Sequence, residues 1–347
     1  MDMLEMLSGS LERLGRRRPY SGLVTHDPLI IGHRGASGYR PEHTAAAYDL
    51  AFAMGADAVE PDLVASQDGV LVVRHENEIS STTDVASRPE FASKRTTKLI
   101  DGQKLDGWFT EDFTWLELST LKARERLPHL RPDSAGLDGQ FPLMRLSDLV
   151  DLIDERSEHF GRQLTMVAEL KHATYFESIG LGLDELFATE LATWANPERL
   201  IVESFEQTVL DRVRERGVAA RYVMLIDAEG APADRPERPY SDYLLDSGLA
   251  DLADVLDGIS VSTALLDPRD AGVAGPSLVD RAHAHGLSVY TWTLRPENEF
   301  LPERWRRGSD PAQWGDWRGA FSAVLATGVD GVFADHPDLA IEARQSR

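Results

Sequence analysis

The chain of 347 residues contains no cysteine. Disulfides, thiolate nucleophiles and Cys-ligated zinc are therefore excluded, while the compartment is left open. Long apolar runs are also missing: no stretch approaches the ~18 apolar residues of a membrane-spanning helix. Positive charge is scarce, with 36 Lys and Arg against 58 Asp and Glu, a net charge of −22. That balance disfavours nucleic-acid binding, which needs basic faces to displace phosphate counterions. It equally opposes stable association with an anionic membrane surface. An anionic substrate would need a local positive centre set against this field.

The N-terminus lacks the uninterrupted apolar core of a signal peptide, because Glu5, Glu12 and Arg13 break it up. The run Arg16 to Tyr20 hints at a twin-arginine signal, but no apolar stretch follows it. Residues 1–27 read as an N-terminal extension. The expected location is cytoplasmic, or exported (periplasmic or secreted) if a signal lies upstream.

What is present has ordinary globular proportions, 42% hydrophobic and 27% charged. Strand-like apolar runs begin near residues 29, 58, 70, 164, 200, 221, 258, 287 and 331, with helix-like segments between many of them. The clearest of those segments are 44–54, 145–154, 181–195, 206–216, 276–285 and 319–327. Near-continuous apolar strands alternating with helices indicate a parallel sheet covered by helices. About eight such units fit an α/β fold of the (β/α)8 TIM barrel type over 28–347. An open doubly wound sheet is the main competitor. Residues 77–141 break the rhythm: they are polar and turn-rich, with only a short helix expected near 115–124. They read as an insertion after an early strand, forming a lid or side wall.

Residues at the C-terminal ends of barrel strands face the mouth, and this rule selects a chemically dense set. His33 and Arg34 close the first strand. Glu60 and Asp62 alternate in the second and share one face. His75 and Glu76 end "VLVVRHE", Glu169 and Lys171 end "LTMVAELK", Ser204 ends "LIVES" and Trp292 lies in "SVYTWTL". Any one of these is unremarkable alone; their convergence is the signal. Glu60, Asp62 and Glu169 offer only oxygen ligands, which suits a hard divalent cation such as Ca2+ or Mg2+. Two histidines beside such a cation suit general acid–base work. Arg34 and Lys171 add donors for an anionic oxygen. Together these parts point to metal-assisted hydrolysis of a phosphate ester. His43 reads as a helix-flanking residue, and His336 as a surface or loop residue.

The stretches "HRGASGYRPEHT", "GADAVEPDLV", "DGVLVVRHE", "AELK" and "GVDGVFADHPD" resemble, in this order, the motifs of the glycerophosphodiester phosphodiesterase family, especially its longer bacterial form. The resemblance implies a TIM barrel that cleaves glycerophosphodiesters to glycerol 3-phosphate and an alcohol. It implies His33 and His75 as the acid/base pair, and Glu60, Asp62 and Glu169 as metal ligands. Arg34 and Lys171 would be phosphate contacts, and Glu76 and Trp292 would lie on the substrate side. One departure stands out: the family usually has Asp after its second histidine, where this chain has the longer Glu76. The nearest rival is a lysophospholipase D or sphingomyelinase D-like enzyme acting on choline phospholipids, which would need an apolar channel. A glycosidase using Glu60 and Glu169 would need neither a cation nor the histidines. A Schiff-base aldolase would need a neutral Lys171, which its carboxylate neighbours oppose. A ligand-binding barrel without activity has no use for the paired histidines. No oligomeric state is assigned.

Overall fold

The computed structural model describes residues 27–266 and 276–347. All but the last residue of the N-terminal extension, including Arg16 to Tyr20, lies outside the described residues. The strands are β1 (Leu29–His33), β2 (Ala58–Glu60), β3 (Asp62–Ala65), β4 (Leu71–Val73), β5 (Thr96–Ile100), β6 (Gln103–Gly107), β7 (Thr165–Leu170), β8 (Leu200–Ser204), β9 (Arg221–Ile226), β10 (Gly258–Ser262), β11 (Ser288–Leu294) and β12 (Gly331–Ala334). β1 pairs with β12, and parallel neighbours follow back through β11, β10, β9 and β8 to β7. β7 then meets both β2 and β3, and β2 meets β1, so the ring closes. β2 and β3 are one barrel strand divided at Pro61, which has no N–H to give the ladder. Its carbonyl still accepts from Glu169 N at 2.9 Å. The closed barrel has eight parallel positions, as the sequence pattern predicts.

Ile31, Ala58, Val167, Ile201, Val223, Tyr290 and Phe333 fill the barrel interior. The much larger outer core lies between the strands and the helices. Helix α1 (Ala45–Met54) shows how local chemistry sets this packing. Thr44 caps it by accepting from Ala47 N, and Gly55 ends it at φ 100°. Its buried face of Ala47, Tyr48, Ala51 and Phe52 then lies against the sheet. Among the described residues, no helix is long and apolar enough to cross a membrane.

Three expectations need correction. The run near residue 70 is β4, which pairs antiparallel with β3 and lies outside the barrel; an apolar run does not report strand direction. His75 therefore reaches the mouth from an added strand, not from a barrel strand. The predicted helix over 181–195 is shorter, Leu183–Leu191, and helices at Ala173–Ser178, Asp246–Ala253 and Pro337–Gln345 lie outside the predicted set. The insertion, finally, contains a hairpin, β5–β6. Asp101 and Gly102 turn it at φ 46° and 78°, the left-handed pair that a type I′ turn requires. The insertion also buries Ile79, Val85, Phe91, Phe113, Leu118 and Leu121 in the main core. It is a side wall continuous with the barrel, and Asp101 at its tip accepts from His172 Nδ1 at 2.5 Å.

Candidate active site

A cleft of about 480 Å³ opens at the C-terminal ends of the strands, and His33, Arg34, Glu60, His75, Glu169, Lys171 and Trp292 all line it. β1 delivers His33. The chain then turns sharply at Arg34, at φ 58°, which lets Arg34 N donate to Glu60 Oε2 at 2.9 Å. Glu60 and Asp62, on either side of Pro61, keep their alternate spacing and meet Glu169 from β7. One oxygen from each of the three lies within 4.8 Å of the others.

These carboxylates fit a hard cation. Glu60 Oε1 is buried without a hydrogen-bonding partner, and every donor is an oxygen. Burial, then Asp62, pushes the Glu60 carboxyl well above its usual range. Burial pushes Glu169 up to about 8, against the pull of Lys171. Asp62 lies well below its usual range: burial works against ionisation there, but Lys171, His75, Arg34 and the bond from His43 overcome it. Lys171 Nζ stands 2.7 Å from Glu169 and 3.2 Å from Asp62, and those two carboxylates hold it protonated although burial opposes its charge. Arg34 Nε lies 3.3 Å from Asp62. The three-carboxylate floor is thus rimmed by two cations.

The histidines share one arrangement. His33 Nδ1 lies 2.6 Å from Asp335 Oδ1, and His75 Nδ1 lies 2.5 Å from Glu76 Oε1. Arg295, Arg131 and the His33 bond keep Asp335 ionised despite burial, and the His75 bond and Arg126 do the same for Glu76. An ionised carboxylate only accepts, so each Nδ1 carries the proton and each Nε2 keeps the lone pair. Burial, then Arg34, lowers His33 to about 4, and burial with Arg34 and Lys171 lowers His75 to about 3. At neutral pH both are uncharged and able to accept a proton.

Several residues of the site went unrecognised in the sequence. Asp335 lies 302 positions from His33, and only closure of β1 on β12 brings them together. His43, read as helix-flanking, is fully buried; it links Asp62 at 2.9 Å to the Tyr48 hydroxyl at 2.7 Å. Glu42 accepts from Arg34 at 3.1 Å. On β8 the residue facing the cleft is Glu203, in register with Glu169, whereas Ser204 donates to Leu170 O at 2.8 Å. His336, read as a surface or loop residue, does lie in the loop before Pro337–Gln345 but is buried, with Tyr39 and Trp314 edge-on at 4.7 and 5.2 Å. Trp292 packs edge-on to Phe205 at 5.8 Å, and both line the cleft. Glu76 stands apart from the expectation of a substrate contact: its oxygens are taken by His75 and by Arg126.

The family model described as the glycerophosphoryl diester phosphodiesterase family matches residues 33–339. The chain belongs to that family. Among curated relatives, a glycerophosphodiester phosphodiesterase of Arabidopsis thaliana is 28% identical over 331 residues, spanning 90% of this chain and 85% of its own length. The Haemophilus influenzae glycerophosphodiester phosphodiesterase is 25% identical, over 91% of this chain and 89% of its own. In fold the chain is similar to an Oleispira antarctica phosphodiesterase solved in complex with its product sn-glycerol-3-phosphate. The TM-score is 0.59 at 19% identity, covering 91% of this chain and 96% of that one; a structure from Galdieria sulphuraria described as a glycerophosphodiester phosphodiesterase gives the same score and identity over 92% and 98%. The family match begins at His33 and spans every residue named at the mouth.

Proposed function

We propose that this family member hydrolyses glycerophosphodiesters to glycerol 3-phosphate and an alcohol. The observation that carries the proposal is the pairing, in one cleft, of two neutral carboxylate-backed histidines with a three-carboxylate cluster and two cations. The names of the curated relatives and the product held by the Oleispira antarctica enzyme support the substrate class. Nothing in the comparisons favours the choline-phospholipid alternative.

Glu60, Asp62 and Glu169 would hold a divalent cation, Ca2+ or Mg2+, whose contribution when bound is neutralisation of phosphate charge. The remaining chemistry belongs to side chains. Arg34 and Lys171 present donors to the phosphodiester oxygens, with Arg34 suited to a two-point contact. One histidine accepts the nucleophile's proton at Nε2, and its carboxylate stabilises the imidazolium that forms. The other, protonated at Nε2 from solvent as the bound phosphate anion raises its proton affinity, gives that proton to the alcohol oxygen as its bond to phosphorus breaks. Trp292 and Phe205 supply an apolar wall on the substrate side.

Alanine at His33 or at His75 tests the assignment. Each should lower turnover of glycerophosphocholine by at least about 100-fold, the lower edge of a general acid–base contribution, with an unchanged circular dichroism spectrum. Near-normal turnover in either variant would sink it.

A further inference from the structure

We propose that the insertion supplies two positioning residues, Arg126 and Arg131, each of which fixes one of the two histidines through the carboxylate behind it. The proposal rests on the reading that His33 and His75 move the protons. Arg126 donates from Nη1 and Nη2 to the two Glu76 oxygens, both at 2.7 Å, and Glu76 holds His75. Its Nε and Nη2 reach the two Glu42 oxygens at 2.8 and 2.6 Å, and Glu42 holds Arg34. Arg131 donates from Nη2 to Asp335 Oδ2 at 2.6 Å, and Asp335 holds His33. Its other nitrogens are tied to Glu297 at 2.8 Å and to Ser37 O at 3.1 Å.

Both branches run from an arginine of the insertion through a carboxylate to a histidine, and on the His33 branch Arg295 Nε also donates to Asp335 Oδ2, at 2.7 Å. The spacing is prepared locally. Leu127 O accepts from Leu130 N and Arg131 N at 2.9 Å, closing one turn between the arginines. The buried Glu125 holds that turn, accepting from Leu127 N at 2.8 Å and from Ser134 Oγ at 2.5 Å.

The physical need is clear on the His75 side, where Glu76 is about three-tenths exposed and follows the histidine directly in sequence. An unsupported carboxylate there would sample several rotamers, and the imidazole would turn with it. A planar guanidinium bonded in two forks removes that freedom, which a lysine point charge cannot do. It also keeps the carboxylate acceptor-only, so the Nδ1–H tautomer of the histidine is enforced. β1 and the added strand β4 place the histidines at the mouth; the arginines of the insertion help set their orientation.

The experiment compares R126A and R131A, with H33A and H75A alongside, on glycerophosphocholine. Each arginine variant should lose about 10- to 100-fold in kcat, the range for removing a group that orients a functional histidine. Dilute guanidinium should restore part of the R126A loss. R126A combined with E76Q should cost no more than the larger single change, because both act on one branch. Where alanine at the buried Arg131 prevents folding, Asp335→Asn probes the same branch at constant size. Retained kcat in R126A or in the His33-branch variant, or losses that multiply in R126A with E76Q, would overturn the proposal. If H33A and H75A themselves keep normal turnover, the histidine reading fails instead.

Discussion

Glu42→Gln removes one charge at nearly constant volume from a buried junction. Glu42 is 5% exposed and accepts three charge-assisted bonds, one from Arg34 and two from Arg126. Breaking a buried ion pair by removing one partner costs roughly 3–5 kcal/mol. Here each arginine keeps a second carboxylate, Asp62 for Arg34 and Glu76 for Arg126, so the lower end applies: about 3 kcal/mol. For a chain of 347 residues that is a fall of roughly 4 °C in Tm, measured by calorimetry at pH 7. The pH dependence has a definite sign. Burial would raise the Glu42 carboxyl, but Arg126 and Arg34 outweigh it and hold the group well below its usual range. A depressed carboxyl contributes stability fully above its unfolded value, about 4.3. That contribution is lost as pH falls through the lower folded value. The gap between wild type and E42Q should therefore be full at pH 7 and shrink below about pH 4.3. An E42Q protein as stable as wild type at pH 7, or a gap that widens on acidification, would refute the reasoning.

Gly35→Ala should destabilise by about 2–5 kcal/mol, from a left-handed backbone and overpacking together. Gly35 sits at φ 86°, and an added Cβ would lie 2.6 Å from the Ala47 carbonyl carbon; a Tm within about 1 °C of wild type, less than about 1 kcal/mol, would contradict this. Added Ca2+ or Mg2+ should raise Tm, with about 2.7 kcal/mol of stabilisation at one hundred times Kd, and Glu60→Gln should remove most of that rise. An equal rise in the E60Q protein would place the cation elsewhere.

The barrel was legible because buried parallel strands write themselves as apolar runs, and the alternation of Glu60 with Asp62 shows which side chains share a face. β4 was misplaced because its apolar run looks the same in either direction. The β5–β6 hairpin was missed although Asp101-Gly102 marks its turn: its strands are largely exposed and lack apolar alternation. Asp335, Glu42 and His43 gain their places only when the ring closes and the insertion folds back. Glu203 was passed over for Ser204 because a one-residue change in register exchanges the two faces of a strand. Glu76 looked like a substrate group because its partner, Arg126, lies 50 positions away.

The central claim is a cation-assisted phosphodiesterase at the cleft of His33, His75, Glu60, Asp62 and Glu169. It is tested most directly by turnover of glycerophosphocholine, followed as release of glycerol 3-phosphate, before and after EDTA. The account predicts turnover that EDTA abolishes and that Ca2+ or Mg2+ restores. Undiminished turnover in EDTA, or no turnover with either cation, would contradict it.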